Sequence, residues 1–102
     1  MASRLKLQEE LEKVLGTKNV YFQPPENVKM EYDAIVYSLS DIFTRKADDK
    51  KYIKHKRYDI TVISRNPDNG IADSLLNAFP YIGFDRRFIS DNLYHDALTL
   101  YF

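Results

Sequence analysis

The sequence predicts an α+β fold: a small antiparallel sheet of about four strands with two helices packed on one face, in the order α-β-β-α-β-β. Three observations carry this prediction. Two segments place apolar residues at helical spacing, Leu7, Leu11, Val14 and Leu15 in the first and Ile71, Leu75, Ala78 and Phe79 in the second. Four runs rich in β-branched and aromatic residues read as strands, the two longest alternating between faces. Turn-forming clusters, Pro67-Asp68-Asn69-Gly70 and Ser90-Asp91-Asn92, punctuate the second half of the chain.

In order, Ser3 is placed to cap a helix that runs to about Leu15, where Gly16 supplies the stop. Glu9 and Lys13 stand four apart on its outer side, a favourable ion-pair spacing. Residues 17–32 read as an ordered connection. Val20-Tyr21-Phe22 has the makings of a brief pairing segment, and Pro24-Pro25 removes two donors and favours extended backbone. A long hairpin follows over about 33–64. Its first strand sets Ile35, Tyr37 and Leu39 against Ala34, Val36 and Ser38; its second sets Tyr58, Ile60 and Val62 against Asp59, Thr61 and Ile63. The tip, Arg45 to Lys51, is charged and lacks apolar anchors, so it is expected to be mobile in the isolated protein. Pro80 ends the second helix, and strands over Tyr81–Ile89 and Leu93–Phe102 close the chain, with Leu98 and Leu100 on one face.

A length of 102 residues fits one domain with one modest core. The 15 Lys and Arg offset the 15 Asp and Glu, so no net field gathers nucleic acid or an anionic membrane surface. Having no Cys excludes disulfides, thiolate metal sites and a cysteine nucleophile. The acidic N-terminal segment does not read as a signal peptide and no apolar run is long enough to span a bilayer, which places the chain in the cytosol as an expectation.

Candidates for chemistry are few. His55, His95 and the carboxylates Asp59, Asp85, Asp91 and Asp96 fall at no recognised ligand spacing, and adjacent His95 and Asp96 on a strand point to opposite faces. The three glycines stand singly at Gly16, Gly70 and Gly83, so no phosphate-cradling loop is present. No catalytic residue, cofactor site or metal site is assigned, and the chain is expected not to be an enzyme. The competing enzyme reading, a metal-dependent nuclease using His55 or His95, would require activity abolished by chelation. Lys50, Lys51, Lys54, His55, Lys56 and Arg57 interleave with Tyr52 and Tyr58, the mixture used for single-stranded nucleic acid, although Asp48 and Asp49 interrupt the basic stripe. The bland counterpart is a solvated hairpin arm. Asp85-Arg86-Arg87 reads as a charge node at a strand exit, either at a subunit boundary or as a lone surface pair. Long apolar strands in a small open sheet favour association through strand edges, and the last strand runs into Leu100-Tyr101-Phe102 with no polar tail to blunt it.

Asn19-Val20-Tyr21-Phe22-Gln23-Pro24-Pro25, Ala34-Ile35-Val36-Tyr37, Lys56-Arg57-Tyr58, Phe84-Asp85-Arg86 and Asp91-Asn92-Leu93-Tyr94-His95-Asp96 together resemble a family of small tail-completion, or tail-terminator-like, minor structural proteins of long-tailed bacteriophages. The resemblance spans nearly the whole chain, and the element order is similar to the tail-terminator fold. It implies a homo-oligomeric ring, six-membered, that caps the last ring of the tail tube, stops its growth and joins tail to head. The implied partners are further copies of the chain, the tail tube protein and head connector or neck proteins. No membrane is implied, and nucleic acid enters only as encapsidated DNA passing through the ring. The implied location is the virion tail or neck, after assembly in the host cytoplasm. Candidate subunit or tube contacts are Arg45, Lys46, Asp48, Asp49, Lys50 and Lys51 at the hairpin tip, with Arg86, Arg87, Tyr101 and Phe102 on the closing strands. One departure is Asp33, where the family pattern implies Pro and Asp is expected to leave the strand entry less rigid. The alternatives are a head-side connector of the neck and, from another class, a nucleic-acid-binding module using residues 50–58.

Overall fold

The structure, a computed structural model, describes residues 4–25, 28–46 and 52–102, at positions 43–46 and 52–55 through the backbone alone. Helix α1 (Arg4–Leu15) buries Leu7 and Leu11 completely, with Val14 and Leu15 packed beside them. Gly16 ends it with φ of 84°, its N–H donating to the Glu12 carbonyl at 2.8 Å, as a left-handed stop requires. The expected cap Ser3 lies outside the described residues. On the outer face Lys13 pairs with Glu10, three residues away, instead of Glu9, and Lys6 shares the same Glu10 carboxylate.

The sheet has five strands, not four, and is mixed, not purely antiparallel: β1 (Val20–Phe22), β2 (Ala34–Lys46), β3 (Tyr52–Ser64), β4 (Ile82–Ser90) and β5 (Leu93–Tyr101), in the spatial order β1-β2-β3-β5-β4. The added strand, β1, runs parallel to β2, with Val20 opposite Ile35 and Phe22 opposite Tyr37. It forms because Asn19 offers its carbonyl to the Ile35 N–H at 3.0 Å and Tyr37 offers its carbonyl to the Gln23 N–H at 2.9 Å, so both ends of the three-residue strand are fastened. Where β1 stops, the Gln23 side chain continues the ladder by accepting from the Leu39 N–H at 3.1 Å. At the entry to β2 the Asp33 carboxylate accepts from the Ser64 hydroxyl at 2.6 Å, tying the start of β2 to the end of β3.

β2 and β3 form the long hairpin that their alternation predicts, and β3, β5 and β4 complete the sheet antiparallel to their neighbours. Asp91 and Asn92, with φ of 52° and 63°, make the two-residue turn between β4 and β5. A second expectation is corrected here: β5, the last strand, is no edge but lies between β3 and β4. Its side chains Leu98 and Leu100 sit opposite Ile60 and Tyr58 and are fully buried.

Helix α2 (Ile71–Ala78) carries the chain from β3 across to β4. The Asn69 side chain accepts from the Ile71 N–H at 2.8 Å and Gly70 adopts φ of 73°, which together turn the chain into the helix. Ile71, Leu75 and Phe79 are buried, whereas Ala78, read as part of the apolar stripe, is exposed. Leu7 and Leu11 from α1, Ile71 and Leu75 from α2, and Ile35, Tyr37, Tyr58, Ile60, Val62, Leu98 and Leu100 from the sheet form one core, so both helices cover the same face. The opposite face, with Val36, Ser38, Thr61, Ala97 and Thr99 along its centre, carries no helix among the described residues.

Candidate assembly surfaces

The hairpin outgrows its sheet. β1 accompanies β2 only as far as Tyr37, and β5 accompanies β3 only as far as Arg57. From Ile42 paired with Lys56 to Lys46 paired with Tyr52 the two strands continue as a ribbon with no third strand, among the described residues, beside them. Five residue pairs at about 3.3 Å per residue give an arm of roughly 16 Å. The register shifts between Leu39 and Asp41, a bulge centred on Ser40, where the arm leaves the sheet. Ser40 locks this point: its hydroxyl donates to the Arg57 carbonyl at 2.9 Å and accepts from the Arg57 Nε at 2.9 Å. Arg57, read from sequence as one of a run of binding cations, is therefore also the fastening of the arm's base. Of the tip residues singled out, Arg45 and Lys46 lie at the end of β2, while Asp48, Asp49, Lys50 and Lys51 lie outside the described residues.

The cluster Asp85-Arg86-Arg87 sits on the outermost strand, at a second bulge between Phe84 and Arg86. Its three side chains diverge. Asp85 accepts from the Thr99 hydroxyl at 2.6 Å, and Arg86 lies over the Phe88 ring at 5.0 Å. On its other side the Phe88 ring stacks on His95 at 4.8 Å, giving His95 a structural place on the helix-free face. Arg87 turns to the helix side and clamps Asp96 with two bonds, Nε to Oδ1 at 2.6 Å and Nη2 to Oδ2 at 3.1 Å. Asp96 is only 1% exposed, and this bidentate bond draws the Arg87 pKa above its ordinary value, because the carboxylate favours the charged guanidinium. Of the two readings of this charge node, a subunit boundary or a lone pair, Arg87 forms a pair within the chain. His95 and Asp96 point to opposite faces, as adjacent strand residues must.

At the C-terminus, Tyr101 is exposed at the end of β5 and its N–H donates to the Tyr81 carbonyl at 2.9 Å. Phe102 is half-buried, edge-on to Phe79 at 6.0 Å, with its N–H on the Lys56 carbonyl at 3.0 Å. The pair thus belongs partly to the fold itself: Phe102 extends the core, and Tyr101 presents its ring outward.

A cleft of about 570 Å³ opens between α2 and β4. Asp68 and Asp73 stand on its rim, Leu76 and Phe84 supply apolar wall, and the Arg87–Asp96 pair forms its floor. Leu76 and Phe84 are 36% and 47% exposed, so this corner of the helix layer is incompletely covered. Among the described residues no three His, Asp or Glu side chains converge as metal ligands, and no helix is long and apolar enough to cross a membrane.

Neither family models nor curated proteins match the chain.

Proposed function

We propose that this chain is a structural protein of a bacteriophage tail, a ring-forming terminator or completion protein that caps the tail tube and takes part in joining tail to head. The observation that supports the reading most directly is the bare two-stranded arm reaching beyond the sheet from a base locked by Ser40 and Arg57. An isolated two-stranded ribbon is marginal in water, so an arm of this kind suits a chain that completes itself against a neighbour. The element order supports the same reading, with a helix first, then the short β1, the long hairpin, and a second helix before the closing strands, as does the family resemblance of the sequence motifs. In this role, copies of the chain form a closed ring, six-membered by the resemblance, with the arm, the β4 edge and Tyr101 as contact surfaces and DNA passing through the centre.

The test is polymerisation of purified tail tube protein with and without this chain, with tube length read by electron microscopy. Tubes of indefinite length alone, and capped tubes of bounded length on addition, are the expected result. Unchanged tube lengths would overturn the terminator role and favour a head-side connector.

A further inference from the structure

We propose that the cleft between α2 and β4 receives the β2–β3 arm of a second copy of this chain, an inference that rests on the assembly reading above and assigns its contact. Charge is unevenly placed along the chain. The chain is neutral as a whole, yet residues 45–57 hold seven of its basic residues against two acidic ones, a net of +5, which leaves the remainder at −5. Neutrality therefore conceals a strongly divided molecule, and division along a long axis favours head-to-tail association.

The strand register fixes where the arm and the cleft lie. The described part of the arm reaches to Lys46 paired with Tyr52. The opposite pole is marked by Ala34 beside Ile63, Ser64 beside Tyr94, and the turn after Ser90. The segment carrying Asp68 leaves from that opposite pole, and Asp96, on the cleft floor, pairs with Val62 near it. The chain measures 52 Å along its longest axis, so arm and cleft stand apart at opposite ends and the arm cannot fold back onto its own cleft. Contact between them requires another molecule.

The two surfaces also match in character. Asp68 and Asp73 give the rim its negative charge, and Arg87 does not cancel it because its guanidinium is already committed to the buried Asp96. Leu76 and Phe84 offer apolar wall that water otherwise covers, and Ile42, at the root of the arm, is 49% exposed. Apolar residues meeting inside a rim of opposite charges is the pattern of a specific contact, with the charges steering approach and register. Because arm and cleft are different surfaces, the contact is head-to-tail and propagates into a ring wherever the rotation between copies closes.

Charge reversal on each side, followed by recombination, tests this. Asp68→Lys with Asp73→Lys reverses the cleft; Lys50→Glu, Lys51→Glu, Lys54→Glu and Lys56→Glu together leave three basic and six acidic residues in 45–57 and so take the arm from +5 to −3. Each variant is checked for folding by circular dichroism and then sized by light scattering at low and high salt. The unmodified chain is expected to assemble at low salt and to loosen as salt screens the rim. Each variant alone is expected to be monomeric at concentrations where the unmodified chain is assembled. An equimolar mixture of the two, and a single chain carrying all six changes, are expected to recover assembly, which a misfolded variant would not do. Assembly of either variant alone at the unmodified level, a mixture that stays monomeric, or an unmodified chain that is monomeric at low salt would each overturn the contact. Recovered assembly without any effect on tube length would leave the contact standing and remove the tail role instead.

Discussion

Tyr37 is the residue on which helix and sheet converge. It is fully buried, its hydroxyl donates to the Gln8 Oε1 at 2.5 Å and accepts from Arg4 Nη1 at 3.1 Å, and its ring meets Phe22 at 5.0 Å and Tyr58 at 6.0 Å. Gln8 in turn donates to the Val20 carbonyl at 3.0 Å, so one polar chain ties α1, β1 and β2 together beneath the apolar layer. Burial raises the pKa of Tyr37 above its ordinary 10.0, opposed in part by Arg4, and burial together with the neighbouring Tyr37 raises that of Tyr58. The sign of the stability effect follows. The unfolded chain ionises these phenols near pH 10 while the folded chain holds them neutral, so the unfolded state binds fewer protons and stability falls as pH rises above about 10. Urea unfolding midpoints measured from pH 8 to 12 are expected to drop steeply at the alkaline end for the unmodified chain and less steeply for Tyr37→Phe with Tyr58→Phe. An unchanged slope in the double variant would show that the alkaline loss arises elsewhere. Arg87 and Asp96 show the other use of a polar pair: both oxygens of a carboxylate almost fully buried are satisfied by one bidentate guanidinium. Nothing in the sequence marks Asp96 as that partner, since the two residues meet only once the β4–β5 register is known.

At the scale of elements, α1 owes its place to two leucines. Leu11→Ala is expected to cost about 3 kcal/mol, the range for deleting a fully buried leucine side chain, whereas Leu5→Ala on the exposed side is expected to change stability by less than about 0.5 kcal/mol. Chemical unfolding of the two variants gives the comparison, and equal losses would contradict the observed burial. Elements with a strong local period were legible in the sequence: α1, the β2–β3 hairpin, α2 and the β4–β5 hairpin all stand within a residue or two of where spacing places them. Strand β1 was not legible as a strand of the sheet, because three residues ahead of Pro24-Pro25 have too little pattern and their partner, β2, is parallel and distant in sequence. The interior place of β5 was also missed, although a signal existed: Asp85, Arg86 and Arg87 in mid-strand are the charges with which a sheet guards an edge, and they mark β4 as the outer strand. Of the candidate contact residues, sequence identified the charged hairpin but not the Ser40 bulge that locks its base, which depends on a register shift no periodicity reveals.

For the whole molecule, three features stand together: helices, among the described residues, on one face of the sheet only, a hairpin that outgrows the sheet, and a division of charge that overall neutrality hides. The proposal that the chain assembles with its own kind rests on all three. Size-exclusion chromatography with light scattering, across a wide concentration range at low salt, tests this claim most directly. A discrete closed species of several subunits, growing with concentration at the expense of monomer, is the predicted result. A monomer at every concentration would contradict it.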